Sequence, residues 1–435
     1  MAWLTQRERE ASPSPRTAVP VAAILTYRDD TRIFRGNRDN FIDLLRTAKE
    51  EGVVAYIVAQ DDLDVNAPTI KGYVYSPTKK KWVLGDRPFP NVVYNRIPYR
   101  KFEQLPEVQE LIKACLRHPN IRFFNPSFFS KWSLFEWLNG SRLTRRHIPE
   151  TVKLNGLNDF TRMVRNHRIV YLKPVKGKAG KGIMKVQRLT SAKRPQGSPE
   201  YRLTCQSGDG TESAVYDSIP SMYETVKRTM DGKEYIAQQG ISLASMGGRP
   251  FDLRVLVQKS AKGEWRVSGI GARVAGESSI TTHVPRGGSI GDPEKLLTHV
   301  FGAAAARTTL LAARATALEL AAQIEKGAGH TLGEMSMDLG VDKSGKLWFF
   351  EANSKPMKFD EPHIRETSLR RLVRFWKYLV SQPVERSARV SELPAGGGSG
   401  GGSGGSSGGR RDRGRVRRGP GADGRRGGAA KRRRR

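Results

Sequence analysis

Met335 to Pro356, MSMDLGVDKSGKLWFFEANSKP, decides how the rest of the chain is read. An apolar-alternating arm ends at Asp338 to Val341, Asp342-Lys-Ser-Gly345 supplies turn residues, and Leu347 to Phe350 begins a second, more apolar arm. The stretch therefore predicts a β-hairpin. Asp338 stands before the turn, while Glu351 and Asn353 follow it two apart, and a strand's period of two puts those two on one face. An Asp, a Glu and an Asn amide oxygen on one sheet face are hard oxygen donors of the kind one or two Mg²⁺ ions accept, with Mn²⁺ as an alternative. The competing reading is a solvated hairpin with ordinary surface acids.

The chain has 435 residues, enough for two or three domains with sizeable cores. Its formal net charge is +32, which predicts attraction to polyanions and says nothing about fold. Thirteen Lys/Arg against two Asp fall between Arg410 and Arg435, so about +21 remains for the body. Cys115 and Cys205 are too few for a disulfide framework or a thiolate metal site, and a reducing cytoplasm is the expectation. The amino terminus lacks the apolar core of a signal peptide. No run has the length of a membrane span, since Phe301 to Gln323 is broken by Arg307, Arg314 and Glu319.

Residues 1–19 are polar, with Pro13 and Pro15, and are expected to be disordered. Val21 to Tyr27, Asn37 to Glu51 and Val53 to Ala59 read as strand, helix and strand, a βαβ unit. Tyr73 to Tyr75 and Lys81 to Leu84 suggest a hairpin. Val92 to Ile97, Glu107 to Arg117 and Ile121 to Phe124 complete a small α/β domain over 20–126. Helices follow at about Lys131 to Asn139 and Leu157 to Asn166. The strand Ile169 to Pro174 then delivers Lys173 to the loop Val175-Lys-Gly-Lys-Ala-Gly-Lys-Gly182. Its glycines Gly177, Gly180 and Gly182 permit close backbone approach, and Lys176, Lys178 and Lys181 can surround phosphate oxygens; the alternative is a flexible basic turn. After the Ile183 to Leu189 strand, further strands are expected at Tyr235 to Gln239, Phe251 to Val257 and Trp265 to Val274. Arg254, flanked by apolar residues, needs an anion, and Asp252 on its own face or a phosphate would serve. A long helix ends at Gly327, and His363 to Val380 forms the last one, with an apolar face. Residues 386–409 are a Gly/Ser linker, and 410–435 an Arg-rich unstructured tail suited to salt-dependent adhesion.

In order, Asn125-Pro with Ser130-Lys-Trp132, Pro149-Glu-Thr151, YLKPVKGKAGKG, YIAQQGI, FDLRVLVQ, GIGARVAG, PRGGSI and DLGVDKSGKLWFFEANSKP resemble the ATP-grasp superfamily. The likeness is greatest to the YheC/YheD-type spore-coat-associated proteins of endospore-forming bacteria and covers roughly Val21 to Gln382. Bacterial glutathione synthetases are similar in the same places. The resemblance implies an α/β and α+β architecture: a pre-ATP-grasp domain over 20–126, then an ATP-grasp domain of two α+β subdomains over 127–385. It implies ATP and Mg²⁺ as cofactors. Lys131 and Lys173 would contact phosphates, the loop carrying Gly177, Lys178, Gly180, Lys181 and Gly182 would cover them, and Gln238 and Gln239 would meet adenine. Arg254 and Arg273 would neutralise the transferring phosphoryl group, and Asp338, Glu351 and Asn353 would hold metal.

Thr282-His283-Val284 departs from the family, which carries an Asn before the second glycine loop. Two readings follow. One is a ligase joining a small-molecule or peptide carboxylate to an amine or thiol through an acylphosphate, in the cytoplasm or at the forespore and spore-coat surface. The other is a structural spore-coat protein that binds ATP with little turnover, its tail adhering to polyanions. The oligomeric state has no sequence signal.

Overall fold

The computed structural model describes residues 19–176, 182–189, 200–207, 210–276 and 288–382, all within one compact unit. Gly177, Lys178, Gly180 and Lys181 of the first glycine loop lie outside the described residues, as do His283, residues 285–287 of the second, the linker and the tail.

The βαβ unit forms where the pattern of the sequence puts it. Strands Val21–Thr26 and Val54–Ala59 pair in parallel, joined by the helix Arg38–Glu50. The Asn37 side chain caps that helix, accepting from the Asn40 amide at 3.1 Å, which satisfies one of the donors left over in the first turn. The first sheet has six strands in the order Lys81–Pro88, Thr69–Ser76, Val54–Ala59, Val21–Thr26, Val92–Asn95, Arg122–Phe124. The Thr69–Ser76 and Lys81–Pro88 arms are longer than expected, because turn-flanking residues continue the cross-strand pairing.

A second six-stranded sheet is antiparallel, in the order Gly210–Tyr216, Glu200–Ser207, Met184–Leu189, Ile169–Pro174, Tyr235–Gln239, Thr151–Lys153. Helices Leu157–Asn166 and Ile219–Met230 pack Phe160, Met163, Met222 and Val226 against it. The third sheet is organised around Arg249–Lys259, flanked by Trp265–Val274 and by the hairpin Glu334–Val341 and Leu347–Asn353, with Ser289–Gly291 at one edge. Period two divides the central strand. Phe251, Leu253, Val255 and Val257 enter the core beneath the helix Ala303–Ala328, while Leu256 joins Phe359 and Ile364 in a second cluster.

That long helix corrects the expected end. It starts after Gly302, which at φ 82° separates it from a preceding helix Pro293–Phe301, and it continues through Gly327 to end at Gly329 in the left-handed region. Gly327 is a packing residue. A Cβ there would overlap the root of the Trp137 side chain on the helix Lys131–Asn139.

The last helix, Pro362–Ser381, covers the first sheet with Leu372, Val373, Phe375 and Trp376 and also touches the third. Between those sheets the carboxylate of buried Glu334 accepts from Tyr94, from Arg96 at 3.3 Å and from Gln258 at 2.9 Å. Asn125, at φ 54°, donates its amide to the carbonyls of Glu334, at 2.8 Å, and Ser354, and its Oδ1 accepts from Gly333 N at 2.7 Å. Among the described residues no helix is long and apolar enough to cross a membrane.

Gly327→Ala sets a gain in helix propensity of about 1 kcal/mol against an overpacking cost of about 1–3 kcal/mol. Because the Trp137 atoms in the way include Cβ, which no side-chain rotation moves, the expected result in urea unfolding is a net loss of stability. A more stable variant would show that the two helices can part freely.

Candidate functional site

Backbone register collects the chemistry. Arg254 is the Cα partner of Gly271 on one side and of Asp338 on the other, and Asp338 is the partner of Glu351, so four strands contribute one row. The next row is Arg273, Asp252 and Gly340. Asn353 lies opposite Ser336, two residues beyond Glu351 on the same face, and is exposed. A register shift beside Asp338 and Leu339 inserts Phe350 as an extra residue between Phe349 and Glu351. Gly340 makes room for it, since a Cβ at that position would run into the Phe350 ring.

Two carboxylates directly opposite on neighbouring strands repel, and here each has a cation. Lys131 Nζ reaches Glu351 Oε1 at 2.7 Å from the first residue of its helix. Arg273 is buried and forks onto both Asp252 oxygens at 3.0 Å while a second contact reaches Asp338 Oδ2 at 2.8 Å. Burial opposes its charge, but Asp338 and Asp252 outweigh burial and hold its pKa above the ordinary guanidinium range. Asp252 is thus the partner of Arg273, not of Arg254. Arg254 lies over the Phe359 ring at 4.7 Å, and burial lowers its pKa, with Asp338 opposing. Among the described residues no carboxylate forms a close ion pair with it.

A pocket adjoins this row between the second and third sheets, lined by Lys131, Phe135, Lys173, Gln238, Phe349 and Phe350 among others. Lys173 Nζ donates to Gln238 Oε1 at 2.6 Å, and the Gln238 amide in turn donates to Thr151 Oγ1 at 3.0 Å. Burial pushes the Lys173 ammonium down to about 8, Lys131 pushes the same way, and Glu351 and Asp338 oppose. Gln239 faces elsewhere: it is held by Glu150, whose amide donates to its side chain at 3.2 Å. Gly182, at φ 73°, receives the Tyr235 hydroxyl on its carbonyl at 2.9 Å.

The structure therefore brings Lys131, Lys173, Gln238, Asp338, Glu351, Arg254 and Arg273 to one region, with Asn353 at its exposed edge. Thr151, Phe349, Phe350 and Phe359 also belong to it and were not singled out from sequence. Only Thr151 had a signal, its place in the Pro149-Glu-Thr motif. No group of three or more His, Cys, Asp and Glu converges on one point among the described residues. The proposed metal set is two carboxylates and an amide.

A family model described as "YheC/D like ATP-grasp" matches residues 120–379. The chain is 28% identical over 374 residues to the endospore coat-associated protein YheD of Bacillus subtilis (strain 168), covering 84% of this chain and 80% of that protein. It is 20% identical over 330 residues to YheC of the same organism, covering 73% and 85%. Among solved structures, D-alanyl-alanine synthetase A from Vibrio cholerae O1 biovar eltor aligns over 84% of this chain and 98% of that one, with 9% identity and a TM-score of 0.47.

Arg273→Met removes the guanidinium that Asp252 and Asp338 share. Breaking a buried pair in this way costs on the order of 3 kcal/mol. Chemical denaturation should show that loss and its partial recovery on adding Asp252→Asn; an unaltered midpoint in the single variant would show that the triad contributes nothing net.

Proposed function

The chain belongs to the YheC/D-like ATP-grasp family, and from that premise we propose that it is an ATP- and Mg²⁺-dependent ligase. It joins a carboxylate to an amine or thiol through an acylphosphate, in association with the spore coat. The observation that carries this reading is the row Arg254, Asp338, Glu351 with Lys131 beside it, next to a pocket holding Lys173 and Gln238. Holding strand register accounts for Asp338 with Arg273, but not for Glu351 with Lys131 beside such a pocket.

In the first step a carboxylate oxygen of the substrate attacks the terminal phosphorus and ADP leaves. In the second an amine attacks the acyl carbon, phosphate leaves, and the amine gives up a proton. No protein nucleophile is needed, so the chain's work is positioning and charge compensation. Lys131 and Lys173 hold phosphate oxygens. Arg254, without a close carboxylate of its own among the described residues, faces the transferring group. Arg273 acts through Asp338, fixing that carboxylate in place. Asp338, Glu351 and Asn353 offer the hard oxygens that Mg²⁺ takes, and the ion when bound screens phosphate charge. Gln238, anchored by Thr151, and the aromatic faces of Phe349 and Phe350 suit a nucleotide base. Residues 177–181, outside the described ones, are the proposed cover over the phosphates. The Arg-rich tail provides salt-dependent adhesion to polyanions of the coat.

Glu351→Gln removes a ligand charge at nearly constant volume. ADP release from Mg·ATP should rise with an added acid from a pool of amino acids, peptides and cell-wall fragments, and vanish in this variant with thermal stability retained. Tight ATP binding with no release under any condition would replace the ligase reading by binding without turnover.

Lys173 gives a second test. With its folded pKa near 8, below the unfolded value of 10.5, the cost of its burial is present in full below pH 8 and fades as pH rises towards 10.5. Its charge for phosphate is likewise present below pH 8. ATP affinity should fall above about pH 8, approaching tenfold per pH unit, and Lys173→Arg should flatten the profile. A wild-type profile already flat to pH 9 would remove Lys173 from the phosphate site.

A further inference from the structure

Far from the nucleotide pocket, the last helix and the hairpin between Arg249–Lys259 and Trp265–Val274 border an open concave site of about 490 Å³. Thr367, Arg370, Arg371 and Arg374 line one wall, and their spacing of i, i+3, i+4, i+7 makes them a single helical stripe. That stripe lies opposite the apolar one that packs on the first sheet. Lys262 and Arg266 come from the hairpin across the cleft, with Glu264 between them in sequence. Arg266 is seven residues from Arg273 along one strand, roughly 23 Å at about 3.3 Å per residue. The two sites are therefore separate.

The cations exceed their partners. Arg266 pairs with Glu264 at 2.6 Å, Arg370 with Glu366 at 3.2 Å and Arg374 with Glu51 at 3.0 Å, the first two on exposed side chains where such pairs are weak. Among the described residues Lys262 and Arg371 have no carboxylate partner. Arg371 is half-buried, donates one Nη1 bond to Ser268 Oγ at 3.0 Å, and lines the cleft. Burial lowers its pKa and the like charge of Arg266 lowers it further, so its environment works against the cation it carries. Converging guanidinium forks match the oxygens of phosphate or carboxylate and are poor neighbours for one another without an anion.

We infer that this cleft is a second binding site, for a small multivalent oxyanion held between Arg371 and Arg266, with Lys262, Arg370 and Arg374 completing the charge and Thr367 offering a hydroxyl. The inference stands without the ligase reading, because no residue of the nucleotide pocket takes part.

The test is calorimetric titration of the full chain with inorganic pyrophosphate and, in a separate arm, with citrate, at an ionic strength of about 0.15 M where distant surface charge is screened. The double variant Arg266→Gln/Arg371→Gln should weaken one binding event at least tenfold while leaving ATP affinity unchanged. Lys173→Gln should leave that event as it is in the wild type. Thr367→Glu, which puts a carboxylate at an exposed helix position, should abolish the same event and covers the case in which the double variant fails to fold. A stronger event with pyrophosphate assigns a phosphorylated ligand, and a stronger one with citrate a polycarboxylate. Titrations unaltered by both Thr367→Glu and the double variant would overturn the site.

Discussion

A buried guanidinium fixed between two buried carboxylates sets the terms for the third sheet. Arg273, Asp252 and Asp338 come from three adjacent strands, so their mutual satisfaction requires those strands to keep one register. A slip by one residue would send Arg273 to the opposite face and strand charge in the core beneath the Ala-rich helix. The same register brings Glu351 opposite Asp338 on one side and Arg254 opposite it on the other. The catalytic row proposed here is thus a consequence of strand pairing, and the ion triad polices that pairing.

The first sheet is tied to this arrangement by polar groups that cannot be left alone. Glu334 begins the strand that carries Asp338, and its buried carboxylate is satisfied by Tyr94 and Arg96 of the first sheet. Burial raises the Tyr94 phenol well above its ordinary value, so that group stays a donor. Asn125 does the same work on the other side, with three side-chain hydrogen bonds to the backbones of Gly333, Glu334 and Ser354. Lys355, directly after, is paired with Glu103 in full burial. Removing one partner from any of these leaves a desolvated polar atom, which costs more than the bond itself contributes. The ends of the hairpin Glu334–Asn353 are therefore clamped, and the site residues between them inherit that rigidity.

Much of this was legible in the chain. Lys131–Asn139, Leu157–Asn166, Ile169–Pro174, Tyr235–Gln239 and Trp265–Val274 end where periodicity and capping residues put them. The hairpin followed from the turn residues Asp342 to Gly345 between two apolar arms, and the shared face of Glu351 and Asn353 from period two. What was missed has physical causes. The bulge at Phe350 leaves no mark in a run of Leu-Trp-Phe-Phe, so the aromatic lining of the pocket could not be placed. Gly327 read as a helix stop because glycine commonly is one, and only the facing Trp137 explains a glycine inside the helix. Glu200–Ser207 and Gly210–Tyr216 form an edge hairpin whose outer strand is largely exposed, so neither a clean apolar alternation nor a buried run announced them. Arg254 was given Asp252 as one of two partners, but residues two apart on a strand point the same way side by side, and the cross-strand Arg273 is better placed to fork onto that carboxylate.

The charge of +32 gives little guidance to the site itself. Its four cations, Lys131, Lys173, Arg254 and Arg273, stand against Asp252, Asp338 and Glu351, and the two closest pairs, Lys131 with Glu351 and Arg273 with Asp338, already cancel. A bare polyphosphate would have to pull Lys131 from its carboxylate and leave Glu351 and Asp338 facing added negative charge. A bare divalent cation would do the reverse to Lys131 and Arg273. A nucleotide carrying its metal brings both signs at once, so each protein charge exchanges one counter-ion for another. On the ligase reading, selectivity for the metal–nucleotide complex therefore rests on internal pairing, and the excess charge that makes this chain basic lies elsewhere, about a third of it in the tail.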